Sequence, residues 1–305
     1  MTQQNRQLVP DSLSHTLLRW AGEEGANWLA SLPVTVARLQ CRWDLTLEGP
    51  LRGGSCSLVL RVRSPSVGPA VLKVPFPDPE SHMEHAALLA YAGDGAVTAH
   101  AFDPTSGAML LERITPGESL GGSRPFPEAL EVAGTLLARL RRPAPPGLEF
   151  ESAKLALGRW ATNFRENYGV AGERWPELPV EEAAELADRL AFAASVELLV
   201  NRDAHLGNFL SAEREPWLLI DPKPMVGDPA CDGGFLLLDV MKRLPRCSPK
   251  IVAAILDRLA ACLECSSADL RAWALIRAVE NVSWADGVGA DPRSWISRAV
   301  VLARL

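Results

Sequence analysis

The segment LLVNRDAHLGNFL places Asp203 and, five residues later, Asn208 in one short stretch. A carboxylate and a carboxamide at that spacing match two polar groups that phosphoryl transfer uses: one orients the attacking hydroxyl and accepts its proton, the other binds a metal ion. Eighteen residues beyond Asp203, the run WLLIDPKP closes an apolar stretch on Asp221. A carboxylate at a strand end is exposed and offers hard oxygens to Mg²⁺. The ordinary reading of the same residue is a turn former ahead of Pro222. Metal ligation is the better account because the two segments fit one phosphoryl-transfer arrangement.

Lys73 lies in AVLKVPF, in mid-strand between apolar neighbours. An ammonium there must snorkel from a sheet face or meet an anion, because burying it unpaired is costly. The phosphoryl-transfer arrangement calls for a strand lysine that touches the α/β-phosphates and pairs with a glutamate of the next helix. Glu84 and Glu80 share a face of that helix, and spacing alone does not choose between them; Glu84, deeper in the helix, is preferred. The loop LEGPLRGGSCS carries Gly49, Gly53 and Gly54, whose backbone N–H groups could approach a phosphate. An ordinary hairpin turn explains the same glycines equally well.

The elements that must position these groups change character along the chain. Residues 11–32 carry apolar side chains at helical spacing. From 43 to 113, short apolar and β-branched runs punctuated by Gly, Pro, Asp and Ser predict a small, mostly antiparallel sheet, interrupted by one helix in DPESHMEHAALLAYAG that starts near Pro79 and ends at Gly93. Beyond Thr115-Pro116-Gly117, helical periodicity dominates at 127–142, 151–168, 180–200, 248–262, 266–283 and 292–304, and NFLSAEREPWLLID reads as a hairpin between the third and fourth. The catalytic stretch would thus leave a helix and enter a hairpin. The plan is α+β, with a β-rich N-terminal lobe (1–113) and a helical C-terminal lobe (114–305).

Composition narrows the function classes. With 48% apolar and 22% charged residues the chain is globular, and its longest apolar runs, such as FLLL at 235–238, fall far short of the ~20 residues that cross a bilayer. The N-terminus lacks the pattern of an export signal, so a cytoplasmic protein is expected. Six scattered cysteines then suit reduced thiols, and Cys262-x-x-Cys265 has no second ligand pair to complete a zinc site; His82 and His85, one turn apart, likewise lack a third ligand. A net charge of −6 without a basic run disfavours nucleic acid and suits a cationic small molecule. Only five lysines occur, at 73, 154, 223, 242 and 250, so each is informative.

Four segments, AVLKVPFPDPESHMEHAALLAYAGDGAV, LLERITPGESL, VNRDAHLGNFL and WLLIDPKPMVGDPACD, together resemble the aminoglycoside phosphotransferases over roughly residues 40 to 300. The likeness is greatest to the branch of streptomycin 6-phosphotransferases and aminoglycoside/hydroxyurea resistance kinases. It implies a bilobal protein-kinase-like fold and ATP- and Mg²⁺-dependent transfer of a phosphoryl group to a hydroxyl of an aminoglycoside-like acceptor. In that frame Asp203 is the catalytic base, Asn208 and Asp221 are Mg²⁺ ligands, Lys73 contacts phosphate, Glu84 is its partner, and the backbone from Glu112 to Gly117 holds adenine. One departure stands out: Asn201-Arg202 occupies the place of the usual His-Gly, and Ala204 replaces a leucine. For the acceptor, the resemblance points to Asp232, Asp239, Glu280, Ser283, Trp284 and Asp286, carboxylates for its cationic groups and an indole to stack on a sugar; solvated helix faces and core packing are the plain alternative. A kinase for another amine or sugar, or a nucleotide-binding protein without turnover, fits the same architecture.

Overall fold

A computed structural model describes residues 8–51, 56–78, 83–193, 198–287 and 289–305. The chain divides into two compact units, Met1–Thr115 and Pro116–Leu305. The first begins with helices α1 (Asp11–Trp20) and α2 (Gly22–Trp43). The single helix read over 11–32 is therefore corrected. Gly22 adopts φ +51°, a left-handed conformation that breaks the helix, and α2 then runs past Pro33 to Trp43. Proline costs that helix a backbone hydrogen bond; the buried stripe Leu29, Leu32, Val36 and Leu39, packed into the core with Leu58, Leu60, Leu72 and Val74 of the sheet, outweighs the loss. Strands β1 (Thr46–Pro50), β2 (Ser57–Ser64), β3 (Gly68–Pro75), β4 (Ala99–Asp103) and β5 (Ala108–Glu112) form one antiparallel sheet in the order β1-β2-β3-β5-β4. Helix α3 (Glu84–Tyr91) lies between β3 and β4 in sequence and ends where Ala92 and Gly93 both turn left-handed.

The second unit carries two three-stranded sheets. One joins β6 (Pro116–Ser119), β9 (Phe209–Ala212) and β10 (Trp217–Leu219) in the order β10-β9-β6, so the expected hairpin is present. The other joins β7 (Glu151–Ser152), β8 (Leu198–Asn201) and β11 (Pro224–Gly227) in the order β7-β11-β8. The helices are α4 (Leu120–Ser123), α5 (Phe126–Leu140), α6 (Ala153–Arg174), α7 (Val180–Ala193), α8 (Ala230–Arg243), α9 (Pro249–Cys262), α10 (Ser267–Gly287) and α11 (Arg293–Leu302). Two corrections bear on the site. The helix read over 180–200 ends, within the described residues, at Ala193, and its last apolar residues form β8; Asp203 follows a strand, not a helix. Helix α8 was not foreseen, because Gly233 and Gly234 interrupt its pattern. A Cβ at Gly234 would lie 2.6 Å from Trp273 Cβ, so the close approach of α8 to α10 requires glycine there.

Inside the first unit, one buried carboxylate ties α2 to the sheet. Asp103, fully buried at the end of β4, accepts from Arg38 Nη1 and Nη2 (3.0 and 2.6 Å), from Arg42 Nη1 (3.0 Å), and from the hydroxyl and backbone N–H of Ser106 (2.6 and 3.0 Å). Hydrogen bonding from Arg38 holds its carboxyl well below the usual carboxylate range, against the opposing effect of burial. A folded-state value below the unfolded one gives stability that is present above the unfolded pKa of about 4 and is lost as pH falls. Asp103→Ala is expected to cost about 2 kcal/mol of stability at neutral pH through lost charge-assisted hydrogen bonds, and to flatten the acid side of the stability curve. Chemical denaturation from pH 7 down to pH 3 checks both; an unchanged acid slope would refute the assignment.

Candidate active site

The geometry of the site begins with a register. In the β8–β11 pair, Asn201 lies opposite Pro224, so the loop that leaves β8 and the turn that enters β11 emerge at the same end. Arg202 N–H donates to Lys223 O at 3.0 Å, extending the ladder one step. From there the chain turns through His205 N–H to Asp203 O (2.9 Å) and Asn208 N–H to His205 O (2.9 Å), closing a 3₁₀ turn over Leu206–Asn208. Leu206 N–H is held by Asp239 Oδ2 of α8 at 3.0 Å.

Asn208 and Asp221 are brought together by backbone. Ile220 N–H donates to Asn208 O at 2.8 Å, which places the residue before Asp221 beside Asn208. The Asn208 Nδ2 group donates to Asp203 O at 3.3 Å, which leaves the amide oxygen to accept or to ligate. Asp221 holds φ +50°, a left-handed conformation unusual for a residue other than glycine and most tolerated by Asp and Asn. Two hard oxygen donors, one anionic, fit Mg²⁺, which takes one or two protein groups and completes its octahedron with water and phosphate oxygens. They do not form a self-sufficient cage: among the described residues no group of three or more His, Cys, Asp or Glu could hold a metal.

The charges are arranged unevenly. Lys223 Nζ donates to Asp221 Oδ1 at 2.9 Å. The Asp203 side chain keeps 49% of its surface accessible. Partial desolvation nevertheless raises its carboxyl above its ordinary value; Asp221 adds to the rise, while His205, Lys223 and Arg277 oppose it. His205 Nε2 lies 3.9 Å from Asp203 Oδ2, beyond hydrogen-bond reach. Below the loop, Asn201 Oδ1 accepts from the N–H groups of both Asp203 and Lys223 (3.0 Å each), and Asn201 N–H donates to Asp232 Oδ1.

Lys73 and Glu84 form a buried pair within the first unit, Nζ lying 2.6 Å from each carboxylate oxygen. Glu112 Oε2 accepts from Thr98 N–H at 3.1 Å, bracing β5 against the start of β4. Gly53, Gly54, Glu80 and His82 lie outside the described residues. Asp232 is corrected as an acceptor contact: it is 2% exposed and serves the loop through Asn201, and burial raises its carboxyl to about 7 despite that bond and Arg141. Asp239 is likewise engaged, by Leu206 N–H and by Arg243 Nε at 3.2 Å. Glu280 pairs with Arg277 at 2.7 Å, and Asp286 with Arg174 at 2.7 Å. Trp284 is half-exposed. Sequence reasoning did not assign Lys223 or Arg277. Lysine scarcity was the signal for the first; Arg277, flanked by the rings of Phe235 (4.5 Å) and Trp160 (5.2 Å), left none.

The family model of aminoglycoside/hydroxyurea antibiotic resistance kinases matches residues 42–289. A streptomycin 6-kinase of Streptomyces griseus is 36% identical, with 97% of each chain covered. A hydroxyurea phosphotransferase of Kitasatospora aureofaciens is also 36% identical, covering 96% of this chain and 85% of its own. Among solved structures, a choline kinase of Streptococcus pneumoniae superposes with a TM-score of 0.59 over 90% of this chain and 100% of its own; at 14% identity it speaks to the fold alone, which is the kinase-like α+β fold expected from sequence.

The buried Lys73–Glu84 pair lends itself to a direct test. Lys73→Met is expected to lower stability by about 3 kcal/mol, because it takes the ammonium from a fully buried carboxylate. Lys73→Met with Glu84→Leu should recover most of that loss, as measured by denaturant unfolding of the two variants. A double variant no more stable than the single one would contradict the pairing.

Proposed function

We propose a reaction and an acceptor for this chain from one premise: it belongs to the family of aminoglycoside/hydroxyurea antibiotic resistance kinases. The reaction is transfer of the γ-phosphoryl group of ATP to a hydroxyl of a streptomycin-like aminocyclitol. The observation that carries this reading is that Asn208 is bonded to both segments, its Nδ2 donating to Asp203 O at 3.3 Å and its O accepting from the N–H of Ile220, the neighbour of Asp221, at 2.8 Å. Asp203 orients the acceptor hydroxyl and takes its proton as the new P–O bond forms and ADP leaves. Asn208 and Asp221 would hold Mg²⁺, which when bound would neutralise charge on the phosphates. Lys223 holds Oδ1 of Asp221 and so fixes the carboxylate. Lys73, oriented by Glu84, is the first unit's own candidate for a phosphate contact.

A cationic acceptor suits a chain of net charge −6. Glu280, Trp284 and Asp286 are proposed contacts: guanidino groups of the acceptor would compete with Arg277 and Arg174 for the two carboxylates, and a sugar would stack on the indole. The equal identity to a hydroxyurea phosphotransferase favours a second reading, in which the small neutral hydroxyurea is the acceptor.

Mass spectrometry of reactions containing ATP, Mg²⁺ and either streptomycin or hydroxyurea separates the two readings. Streptomycin gaining one phosphoryl group is the expected result; exclusive labelling of hydroxyurea would replace the first reading with the second. Asp203→Asn should lower kcat by about 10³-fold while nucleotide binding persists, and near-normal turnover in that variant would remove Asp203 from its role. Because the base works ionised and its carboxyl is raised, the acid limb of kcat/KM should lie above the ordinary carboxylate range, with activity falling as pH drops through it.

A further inference from the structure

We infer that Asn201, where the resemblance leads one to expect histidine, is a positioning residue whose single side-chain oxygen sets the spacing between Asp203 and Asp221. The inference rests on the phosphotransferase reading above and adds a residue that touches neither nucleotide nor acceptor.

Two N–H groups converge on Asn201 Oδ1, those of Asp203 and Lys223, each at 3.0 Å. Only an acceptor can sit there, so the orientation of the amide is fixed by chemistry. The first N–H belongs to the residue that handles the acceptor hydroxyl. The second lies two residues past Asp221, in a turn that already contains a left-handed backbone and whose Lys223 side chain returns to Asp221 Oδ1. One oxygen therefore acts as an extra rung between β8 and β11 beyond the last residue pair, Asn201 with Pro224.

The rung is itself anchored. Asn201 is 1% exposed, and its own N–H is held by the buried Asp232, so the oxygen cannot follow the loop if the loop moves. The opposite end of the amide shows what the residue is kept for: Nδ2 is buried and has no hydrogen-bond partner among the described residues. A buried donor without an acceptor is unfavourable, and a small apolar side chain would avoid it. What an apolar side chain cannot supply is an oxygen that accepts two backbone N–H groups. A carboxylate could accept both, but it would set a third negative charge beside Asp203 and Asp221.

The test compares Asn201→Leu, Asn201→Ala and Asn201→Asp in the full chain. Hydrogen exchange of the Asp203 and Lys223 amides reports the rung without reference to activity. Both amides should exchange about tenfold faster in the Leu and Ala variants and stay protected in the Asp variant, which keeps an acceptor in place. In steady-state assays the Leu and Ala variants should lose about 100-fold in kcat, as expected for misplaced reacting groups, with both KM values within about threefold of the parent. A merely structural role would lower the melting temperature and leave kcat per folded molecule intact. The inference is overturned by undiminished protection of both amides in the Ala variant, by a kcat close to the parent's, or by losses confined to KM. If Asn201→Leu prevents folding, the Ala variant alone decides these points. If the parent protein transfers no phosphate, the functional reading fails, while the exchange comparison still decides whether Asn201 holds the two segments.

Discussion

The chemistry proposed for this chain depends on the antiparallel pairing of two four-residue strands, β8 and β11. Because Asn201 faces Pro224, the loop bearing Asp203 and Asn208 and the turn bearing Asp221 begin at one edge, within reach of a single carboxamide. A shift of one residue would turn every side chain of a strand to its opposite face. Proline at 224 has no N–H to offer the ladder, and the bonds that hold the register there are supplied by Arg202 N–H and by the Asn201 side chain. Helix α8 completes the support from below, with Asp232 under Asn201 and Asp239 under Leu206.

Three buried carboxylates are stabilised in three different ways. Asp103 is surrounded by arginines that reach out to solvent, and it stays ionised far into acid. Glu84 meets a buried lysine, an arrangement that is expensive to break but contributes little by itself to stability. Asp232 has the Asn201 N–H and the charge of Arg141, which do not offset its burial, and its proton affinity rises. The first secures a helix, the second belongs to the nucleotide-handling residues proposed above, and the third fixes a loop; only the first was open to no reading from sequence, since Asp103 sits in an undistinguished strand end.

What could be read from sequence was whatever depends on spacing. Asp203 with Asn208, the hairpin to Asp221, and a strand lysine followed by a helical glutamate were all legible, because phosphoryl transfer constrains residue type and separation together. Elements whose signals compete were not. Leu198, Leu199 and Val200 continue a helical apolar pattern into what is a strand, since so short an apolar run carries no period of its own. Strand β11 was hidden by its proline and α8 by its glycines, residues present for register and for close helix packing rather than for propensity. Burial was equally invisible: on paper Asp232 passes for an acceptor contact, and only the fold shows that it lies beneath Asn201.

The span matched by the family, residues 42–289, is narrower than the body that folds. Almost all of α2 precedes it, including Leu29, Leu32, Val36 and Leu39, which cover the strand residues Leu58, Leu60, Leu72 and Val74, and Arg38, which clasps Asp103. Helix α11 follows it, carrying the buried Ile296, Ala299 and Leu302. A piece trimmed to the matched span would bare an oily sheet surface and take from Asp103 the two-pronged clasp of Arg38, and such a piece is prone to clump. For anyone cutting related genes into expressible parts, the boundary that matters is where apolar side chains cease to be covered, and here it lies outside the boundary that likeness draws.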